Sequence, residues 1–479
     1  MNRTRRAGIT VIVVMAAAPA IATGTAAITA GTVAAHREPA IPPNAVLIHP
    51  GVIHAGTAES RPPTTAQCES QFHVACYEPA QIQKAYDLQP LFRQGIDGKG
   101  QTIVIVDSYG SPTIRHDLTV FDRTFGLPAP PTFKVIRPAG PVAPYVKSVD
   151  REGWAGETTL DVEYSHTMAP DASIVLVETP SSENEGTSGF PQIVKAEEYV
   201  IDHHLGDVIS QSFSATEQTF PTRQSLLALR GAYIDAHNND VTVLAASGDS
   251  GAADVGPRGI DYYRYPVTSW PDSDPYVTGV GGTQLHLNAA GDHTAPDNVW
   301  NDTYNVATQK FIFGSAGPNA LAGGGGKSII FGRPTYQNGV KSVVGSRRGV
   351  PDISMSAACN GAVDTYQSFP GQTPGYEPVC GTSEATPLFA GVVALADQVA
   401  GHPLGLINPA LYAMSASHAP GIVDITEGNN TVTFPQGGKE VTVAGYPALP
   451  GYDLASGVGT VNAALFVPEL AKAASASSG

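Results

Sequence analysis

Four nearly continuous apolar runs, separated by helix-like stretches, constrain the fold of this chain more than any other feature. The runs cover 101–107 (QTIVIVD), 172–178 (ASIVLVE), 207–213 (DVISQSF) and 241–247 (VTVLAAS). Helical patterns lie near 155–168, 189–204 and 224–239. Strands that are apolar on both faces are typical of parallel sheets covered by helices on both sides. We therefore predict an α/β fold with a doubly wound, mostly parallel central sheet and helices on both faces.

Polar residues stand where these predicted strands end. Asp107 and Ser212 stand at the ends of two of these runs, and Asp249 comes two residues after a third. In open parallel sheets, ligands bind beyond the carboxyl ends of the strands. We therefore expect a functional site at this edge of the sheet.

A pair of carboxyl groups and a serine are the first candidates for chemistry. Glu157 and Asp161 are four residues apart on the predicted helix 155–168, so they project from one face. Like charges at that spacing repel, so stability alone does not favour the pair. The simpler alternative is that both residues lie on a solvated helix face. Ser383 follows a Gly-Thr turn before a long apolar stretch, at a predicted helix start where free backbone N–H groups can receive an oxyanion. Its alternative is an ordinary helix cap.

A third candidate is the run Gly248-Asp249-Ser250-Gly251. It is similar to the nucleophile loop of chymotrypsin-type proteases, in which Ser250 would be the reactive group. It could equally be a polar turn, where Asp and Gly are common. The run Ala34-Ala35-His36 is similar to the histidine segment of the same class. However, His36 lies at the edge of a predicted signal peptide, so it is a poor catalytic candidate.

Taken together and in order, these segments resemble the sedolisin family of serine-carboxyl peptidases, which are similar to subtilisin in fold. The resemblance rests on Glu157-x-x-x-Asp161, on Ser247-Gly248-Asp249-x-Gly251 and on Gly381-Thr382-Ser383. It extends over about 77–465, and further shared segments lie at 77–86, 98–107, 265–266, 280–283, 323–326, 350–352 and 451–459. It implies a serine-type peptidase that hydrolyses polypeptides at acidic pH through an acyl-enzyme, as an endopeptidase or a tripeptidyl-type exopeptidase.

The resemblance also implies a role for each residue. Ser383 is expected to be the nucleophile, Glu157 its general base and Asp161 the group that orients Glu157. Asp249 is expected to donate a hydrogen bond to the oxyanion while protonated, with Ser250 as a mere neighbour. Some members have an acid at the position of Asp107 that is linked to this network, and 210–214 are expected to line the substrate cleft.

A calcium site is also implied near the C-terminus. The resemblance assigns carboxylate ligands to Asp424 and Asp453, and carbonyl ligands to Ile425 and Gly451. Such hard oxygen ligands suit one structural Ca²⁺ ion. The family often has glycine at the position of Leu449, so this sequence departs from the pattern there. Two ordinary turn aspartates are the alternative.

The N-terminal region predicts export. Three arginines within the first six residues precede an apolar stretch and then small residues, which is typical of a secretory signal peptide; a membrane anchor is the alternative. We assign 1–35 to the signal peptide, 36–76 to a short leader or linker, 77–470 to the peptidase domain and 471–479 to a flexible tail. The leader is too short for the folded propeptide that the resemblance implies.

Export permits disulfides, and the four cysteines allow three pairings. Their local grouping favours Cys68 with Cys76 and Cys359 with Cys380, although buried free thiols are an alternative. We accordingly expect a secreted, extracellular protein.

The chain has 479 residues and a formal net charge of -16. This charge argues against a nucleic-acid partner, because phosphates would be repelled. We expect polypeptide substrates, no stable membrane association and a monomer.

Two other functions remain open. A hydrolase that uses His166, His203 or His204 is disfavoured because His166 lies five residues beyond Asp161, off the acidic helix face. A secreted binding protein that kept the fold without activity is the second alternative.

Overall fold

The computed structural model describes residues 60–477 except Ser315, with side chains through residue 475. The predicted signal peptide 1–35 lies outside the described residues, as do leader residues 36–59 and the last two residues of the predicted tail. The strands are β1 (Cys76–Tyr77), β2 (Thr102–Ser108), β3 (Phe133–Ile136), β4 (Ser173–Thr179), β5 (Val208–Gln211), β6 (Ala215–Thr216), β7 (Thr242–Ala246), β8 (Ser269–Trp270), β9 (Thr278–Gln284), β10 (Asn298–Val299), β11 (Gly326–Gly332), β12 (Arg347–Val350), β13 (Ile353–Ser356), β14 (Ala362–Gln367), β15 (Gly375–Val379), β16 (Ile422–Val423), β17 (Val432–Gln436), β18 (Lys439–Val443) and β19 (Thr460–Val461). The α-helices are α1 (Thr65–Phe72), α2 (Pro79–Ala85), α3 (Gln89–Phe92), α4 (Ile114–Phe125), α5 (Val149–Met168), α6 (Phe190–Asp202), α7 (Arg223–Leu227), α8 (Gly231–Asn238), α9 (Val306–Phe313), α10 (Lys341–Val344), α11 (Thr382–Ala400), α12 (Asn408–Ser417) and α13 (Ala463–Ser477), and 3₁₀ turns cover Glu217–Thr219 and Thr335–Val340.

An eight-stranded sheet forms the centre of the fold. Its order is β10-β9-β7-β5-β2-β4-β3, and β13 also pairs with β9. Only the β10–β9 pairing of this sheet is antiparallel. The four predicted strands are β2, β4, β5 and β7, which lie side by side in this sheet. The predicted doubly wound, mostly parallel α/β fold is confirmed.

The sheet is buried on both faces, as its apolar strands require. Along β2, Ile103 and Ile105 face one hydrophobic core, and Val104 and Val106 face another. The first core contains side chains of α5, α11 and α13, and the second contains side chains of α6 and α8. The alternation of side chains along a strand therefore divides one apolar run between two layers of helices.

Helices α5 and α11 carry the predicted chemical groups and pack closely against each other. Gly391 of α11 makes this approach possible, because a Cβ atom there would lie 2.3 Å from the Cβ atom of Met168 on α5. Residues 382–397 of α11 are all buried. This contact fixes the two helices relative to each other.

The predicted domain boundaries differ from the structure at both ends. Helix α1 and strand β1 fold residues 65–76 onto the domain, where Thr65 Oγ1 donates to the Cys76 carbonyl at 2.9 Å. At the other end, α13 continues through Ser477 instead of ending at 470. Ala471 and Ala474 pack in the core, and alanine has the highest helix propensity.

The predicted helix 224–239 is two helices, α7 and α8, which are separated at 228–230. Arg230 stands at this break and binds the buried carboxylate of Asp274, with nitrogen–oxygen distances of 2.5 and 2.9 Å. This tertiary contact overrides the continuous helical pattern of the sequence.

The structure contains the two local disulfides, Cys68–Cys76 and Cys359–Cys380. Both predicted pairings are confirmed. Within residues 60–477, Ser315 excepted, no helix combines the length and apolarity that a membrane span needs.

Candidate active site

Ser383 lies in the first turn of α11, two residues after Gly381, which no larger residue could replace without strain. Gly381 has a φ of 127°, which L-residues with side chains rarely adopt. Ser383 is only 3% exposed. Its backbone N–H lies in the first helical turn, where no intrahelical acceptor exists. The turn therefore presents both a hydroxyl and a free N–H group at one position.

Asp249 is bound to the residue that precedes Ser383. Its Oδ1 accepts hydrogen bonds from the backbone N–H and the hydroxyl of Thr382, at 2.7 and 2.8 Å. Oδ2 has no hydrogen-bond partner among the described residues, and the side chain is half-buried. Burial raises the pKa of Asp249 to about 6, although the two bonds from Thr382 act in the opposite direction. A proton on this carboxyl group therefore belongs on Oδ2, where it can be donated.

A glycine-rich segment holds the loop of Asp249 in place. Gly324 N–H donates to the Gly248 carbonyl at 2.7 Å, and Ala322 N–H donates to the Asp249 carbonyl at 2.9 Å. A Cβ atom at 324 would lie 1.9 Å from the Ser247 carbonyl oxygen. Only glycine permits this close approach of two backbones.

Glu157 is fully buried on α5 beside the Ser383 hydroxyl. Burial raises its pKa well above the ordinary value, and the charges of Asp107 and Asp249 add to the increase. The hydroxyls of Ser383 and Ser212 lie near enough to counter it, although neither forms a hydrogen bond of good geometry with a Glu157 oxygen. The carboxyl group therefore has its oxygens free to take a proton from a neighbouring hydroxyl.

Asp161 connects the acidic face of α5 to the sheet. Its Oδ1 accepts a hydrogen bond from Ser212 Oγ at 2.7 Å, and Ser212 Oγ also lies 3.3 Å from the Ser383 carbonyl oxygen. Burial, followed by the charges of Asp107 and Glu157, raises its pKa well above the ordinary value. Ser212 thus links the acid pair to the start of α11.

Asp107, at the end of β2, extends this cluster by a third carboxyl group. It is fully buried, and it contacts both Thr158 and Asp161. Burial raises its pKa to about 7, and the Thr158 hydroxyl opposes that rise. Three acids therefore share one buried site between β2 and α5.

The structure brings together every residue proposed for the site and separates the competing ones. Ser250 pairs with Ala322 in the glycine-rich segment, and its hydroxyl contacts Tyr262 rather than an acid pair. His166 is buried elsewhere, with Nε2 2.7 Å from the Pro128 carbonyl oxygen. Burial lowers its pKa to about 4. Neither a chymotrypsin-like loop nor a histidine partner for Ser383 is present in the described part of the chain.

Two contacts of the site were not assigned from the sequence. The hydroxyl of Thr382 binds Asp249, and the hydroxyl of Ser212 binds Asp161. The sequence did place Thr382 in a Gly-Thr-Ser turn and Ser212 at a strand end. Their hydrogen-bond partners depend on how α11 lies across the sheet, which the sequence pattern does not give.

The predicted calcium ligands lie around one surface turn. Asp424 is exposed, and its Oδ2 accepts from the Gly451 N–H at 2.8 Å. Asp453 is 1% exposed, and both its oxygens accept hydrogen bonds from its own loop, including Leu449 N–H at 2.9 Å and Ala455 N–H at 2.8 Å. The hard oxygen donors suit Ca²⁺, but Asp453 would have to exchange some of these N–H contacts for the ion.

Comparison with known proteins gives the family. Residues 153–414 match the model of the subtilase family, which covers more than half of the chain. Kumamolisin of Bacillus sp. (strain MN-32) is 31% identical over 391 residues, which are 80% of this chain and 62% of kumamolisin. Tripeptidyl-peptidase 1 of Homo sapiens is 29% identical over 330 residues, which are 65% of this chain and 51% of that protein. The chain thus spans between about half and 62% of the length of these two relatives.

A solved structure agrees in fold. The Pseudomonas sedolisin, a serine-carboxyl proteinase in complex with two molecules of pseudo-iodotyrostatin, superposes with a TM-score of 0.66 and 24% identity. The match covers 86% of this chain and 98% of that chain. The chain belongs to the subtilase family, in its sedolisin branch.

Proposed function

We propose that the chain is a serine-type peptidase that hydrolyses polypeptides at acidic pH through an acyl-enzyme on Ser383. The single observation that carries this proposal is that Ser383 lies between the carboxyl groups of Glu157 and Asp249. Glu157 lies beside its hydroxyl, and Asp249 is bonded to the adjacent Thr382 at 2.7 Å. A nucleophile, a proton acceptor and a proton donor are thereby available to one scissile bond.

In the proposed reaction, Ser383 Oγ attacks the substrate carbonyl carbon while Glu157 accepts the hydroxyl proton. The oxyanion receives hydrogen bonds from the Ser383 N–H and from the proton on Asp249 Oδ2. Glu157 then gives its proton to the leaving amine, and the acyl-enzyme forms. Water repeats the sequence with Glu157 again as base, which releases the acid product and restores Ser383. Asp161 acts as a positioning residue through its contact with Ser212 and the charge it shares with Glu157.

Digestion of a peptide library tests this proposal. The wild type is compared with Ser383→Ala between pH 3 and 7, and the products are identified by mass spectrometry. We expect cleavage by the wild type in acid and none by the variant. Peptides with free and with acetylated N-termini, compared in parallel, distinguish tripeptidyl-type from internal cleavage.

A peptide aldehyde separates this function from that of an inactive binding protein. A competent Ser383 forms a hemiacetal with the aldehyde, so the wild type and not Ser383→Ala is expected to be inhibited and covalently modified. Absence of both cleavage and adduct in a folded protein would leave the binding protein as the better description.

We propose further that one structural Ca²⁺ ion binds at the turn of Asp424 and Asp453, with the Ile425 and Gly451 carbonyls completing the oxygen donors. The ion would stabilise the turn and takes no part in the reaction. Excess chelator should lower the melting temperature, and added Ca²⁺ should restore it. An Asp424→Asn variant should melt like the chelated wild type and no longer respond to chelator; an unchanged melting temperature of the wild type would remove the ion from the proposal.

Secretion and a monomeric state belong to the same proposal. The two disulfides fit an oxidising compartment, and the N-terminal arginines followed by apolar residues fit a signal peptide. N-terminal sequencing of protein collected from the culture medium, together with its mass in solution, tests both statements.

A further inference from the structure

A cavity lies beyond the carboxyl ends of β2, β3 and β4. Its volume is about 700 Å³, and Arg115, Arg137 and Arg151 line it. These three arginines come from the first turn of α4, from the residue after β3 and from the first turn of α5. No residue proposed for catalysis lines this cavity.

The cavity carries positive charge in a protein whose net charge is -16. Glu178 is the one carboxyl group among the residues that line it, and Arg137 pairs with it at 2.5 Å. Acidic neighbours outside the lining have their own partners: Asp117 binds Ser368, Asp150 binds Ser182 and Glu152 pairs with Lys147. Three arginines thus share the single carboxylate of Glu178, and Arg115 and Arg151 act on it only at longer range than Arg137 does.

Those two arginines are held in place by uncharged groups. The guanidinium of Arg151 lies 3.7 Å from the ring centroid of Tyr109. Arg115 Nη1 donates to the Phe133 carbonyl at 2.9 Å, and its guanidinium lies 5.0 Å from the Phe133 ring centroid. Within the described residues, neither guanidinium forms an ion pair. Such pre-positioned guanidinium groups are suited to bind carboxylates.

Two further polar groups in the cavity wall have no partner. Ser111 is 3% exposed, and its hydroxyl makes no hydrogen bond within the described chain. The buried hydroxyl of Tyr145 is also without a partner. Buried polar groups normally find a hydrogen-bond partner. Ser111 and Tyr145 therefore offer donors to a bound group that has oxygen acceptors.

The cavity lies within reach of a substrate bound at Ser383. Arg151 is six residues before Glu157 on the same helix, which corresponds to about 9 Å along the helix axis. Three residues of an extended peptide span about 10 Å. Tyr109 follows Asp107 by two residues, so the cavity begins where the acid cluster ends.

We infer that this cavity, hereafter the arginine pocket, binds the carboxylate of an acidic side chain in the polypeptide substrate. That side chain would lie about two to four residues from the scissile bond. Arg115 and Arg151 would bind the carboxylate, and Ser111 and Tyr145 would complete its hydrogen bonds. The inference rests on the proposed peptidase function and adds a preference for acidic substrates.

Peptides that differ by one residue test the arginine pocket. A series with both ends blocked carries a single Glu or Gln at successive positions around one cleavage site, and kcat/KM is measured at pH 5.5, where a free Glu side chain is ionised. We expect about a tenfold preference for Glu at one position. Arg115→Gln and Arg151→Gln should each reduce that preference through KM. Arg93→Gln, which removes an exposed charge elsewhere, should leave it intact, and Arg115→Lys should retain part of it.

The arms of the experiment separate the possible outcomes. Equal cleavage of Glu and Gln peptides at every position by the wild type would overturn the inference while leaving the peptidase function standing, and this comparison needs no variant to fold. A second series with a free C-terminal carboxylate is measured in parallel, and a preference found only in that series would overturn the inference in favour of chain-end binding. If the protein cleaves nothing, fluorescence anisotropy with Ser383→Ala and a labelled Glu peptide still measures binding. Binding equal to that of the Gln peptide would overturn the inference.

Discussion

Replacement of Asp249 separates its capacity to donate a hydrogen bond from its ionisation. Oδ1 is held as an acceptor by two hydrogen bonds from Thr382. In Asp249→Asn, the amide oxygen should therefore keep this position, and the NH₂ group should point to where the Oδ2 proton lies. The amide donates at every pH, whereas the carboxyl group donates only while protonated. Asp249→Ala removes both functions.

The size of the effect follows from the pKa. Burial raises the pKa of Asp249 to about 6, so each pH unit above that value reduces the protonated fraction about tenfold. At pH 8, about 1% of the molecules would keep the donor. Loss of one oxyanion donor lowers the rate by about 10²–10³. Asp249→Ala should lose about this much activity in acid, whereas Asp249→Asn should lose less and should not decline as pH rises above 6.

The assay is kcat/KM on an internally quenched peptide from pH 4 to 8, with active sites counted by aldehyde titration. The kcat/KM of the wild type should decline above pH 6. The ratio of the Asp249→Asn value to the wild-type value should therefore be higher at pH 8 than at pH 5. The reasoning is refuted if the Asn variant keeps the descending limb of the wild type, because another group would then cause it. A flat wild-type profile from pH 4 to 8 would refute it as well.

Three further changes have defined outcomes. Ser212→Ala removes a hydroxyl that lowers the pKa of Glu157 and Asp161. The acidic limb of the kcat/KM profile should therefore move to higher pH, and kcat should fall about tenfold or more. Burial raises the pKa of Asp122 to about 7 and that of Glu197 to about 8; both stay protonated in the folded chain while the unfolded chain ionises near pH 4. Their contribution to stability is therefore complete below about pH 4 and is lost as pH rises through about 7 for Asp122 and through about 8 for Glu197, at about 1.4 kcal/mol per group and pH unit within that window. Thermal melts should show a lower melting temperature at pH 7.5 than at pH 4.5. Replacement of Cys359 and Cys380 by serine opens a loop with a sequence separation of 21, and urea unfolding should show a loss of about 3 kcal/mol.

The sequence was sufficient for the centre of the fold because its signals there are local. The run at 101–107 and the three other apolar runs lie side by side in the sheet, since parallel strands covered on both faces need continuous apolar residues. Carboxyl ends of parallel strands meet at one edge, so the ends of β2, β5 and β7 could be placed together in advance. Asp107, Ser212 and Asp249 do lie at that edge.

The sequence was insufficient where a tertiary contact decides the structure. The helical pattern at 224–239 is interrupted because Arg230 binds Asp274, 44 residues further along the chain. The alanine-rich end was predicted as a tail because small residues alone do not indicate burial, yet Ala471 and Ala474 reach the core. The arginine pocket had no sequence signal at all, since its three arginines are spread over 37 residues and three elements.

The catalytic proposal requires an ionised carboxyl group beside Ser383, at Glu157, and a protonated one at Asp249. The buried cluster of Glu157, Asp161 and Asp107 makes this combination possible. Burial raises the pKa of Glu157, of Asp161 and of Asp249 alike, so burial alone does not give Glu157 and Asp249 opposite protonation states. Acids in contact do not titrate independently. Once one proton has left the cluster, the hydrogen bond that Ser212 donates to Asp161 stabilises the single negative charge. In the proposed mechanism, Asp107 is the third carboxyl group of the cluster, so the form that accepts a proton from Ser383 would carry one negative charge and two protons over Glu157, Asp161 and Asp107, with Asp249 neutral.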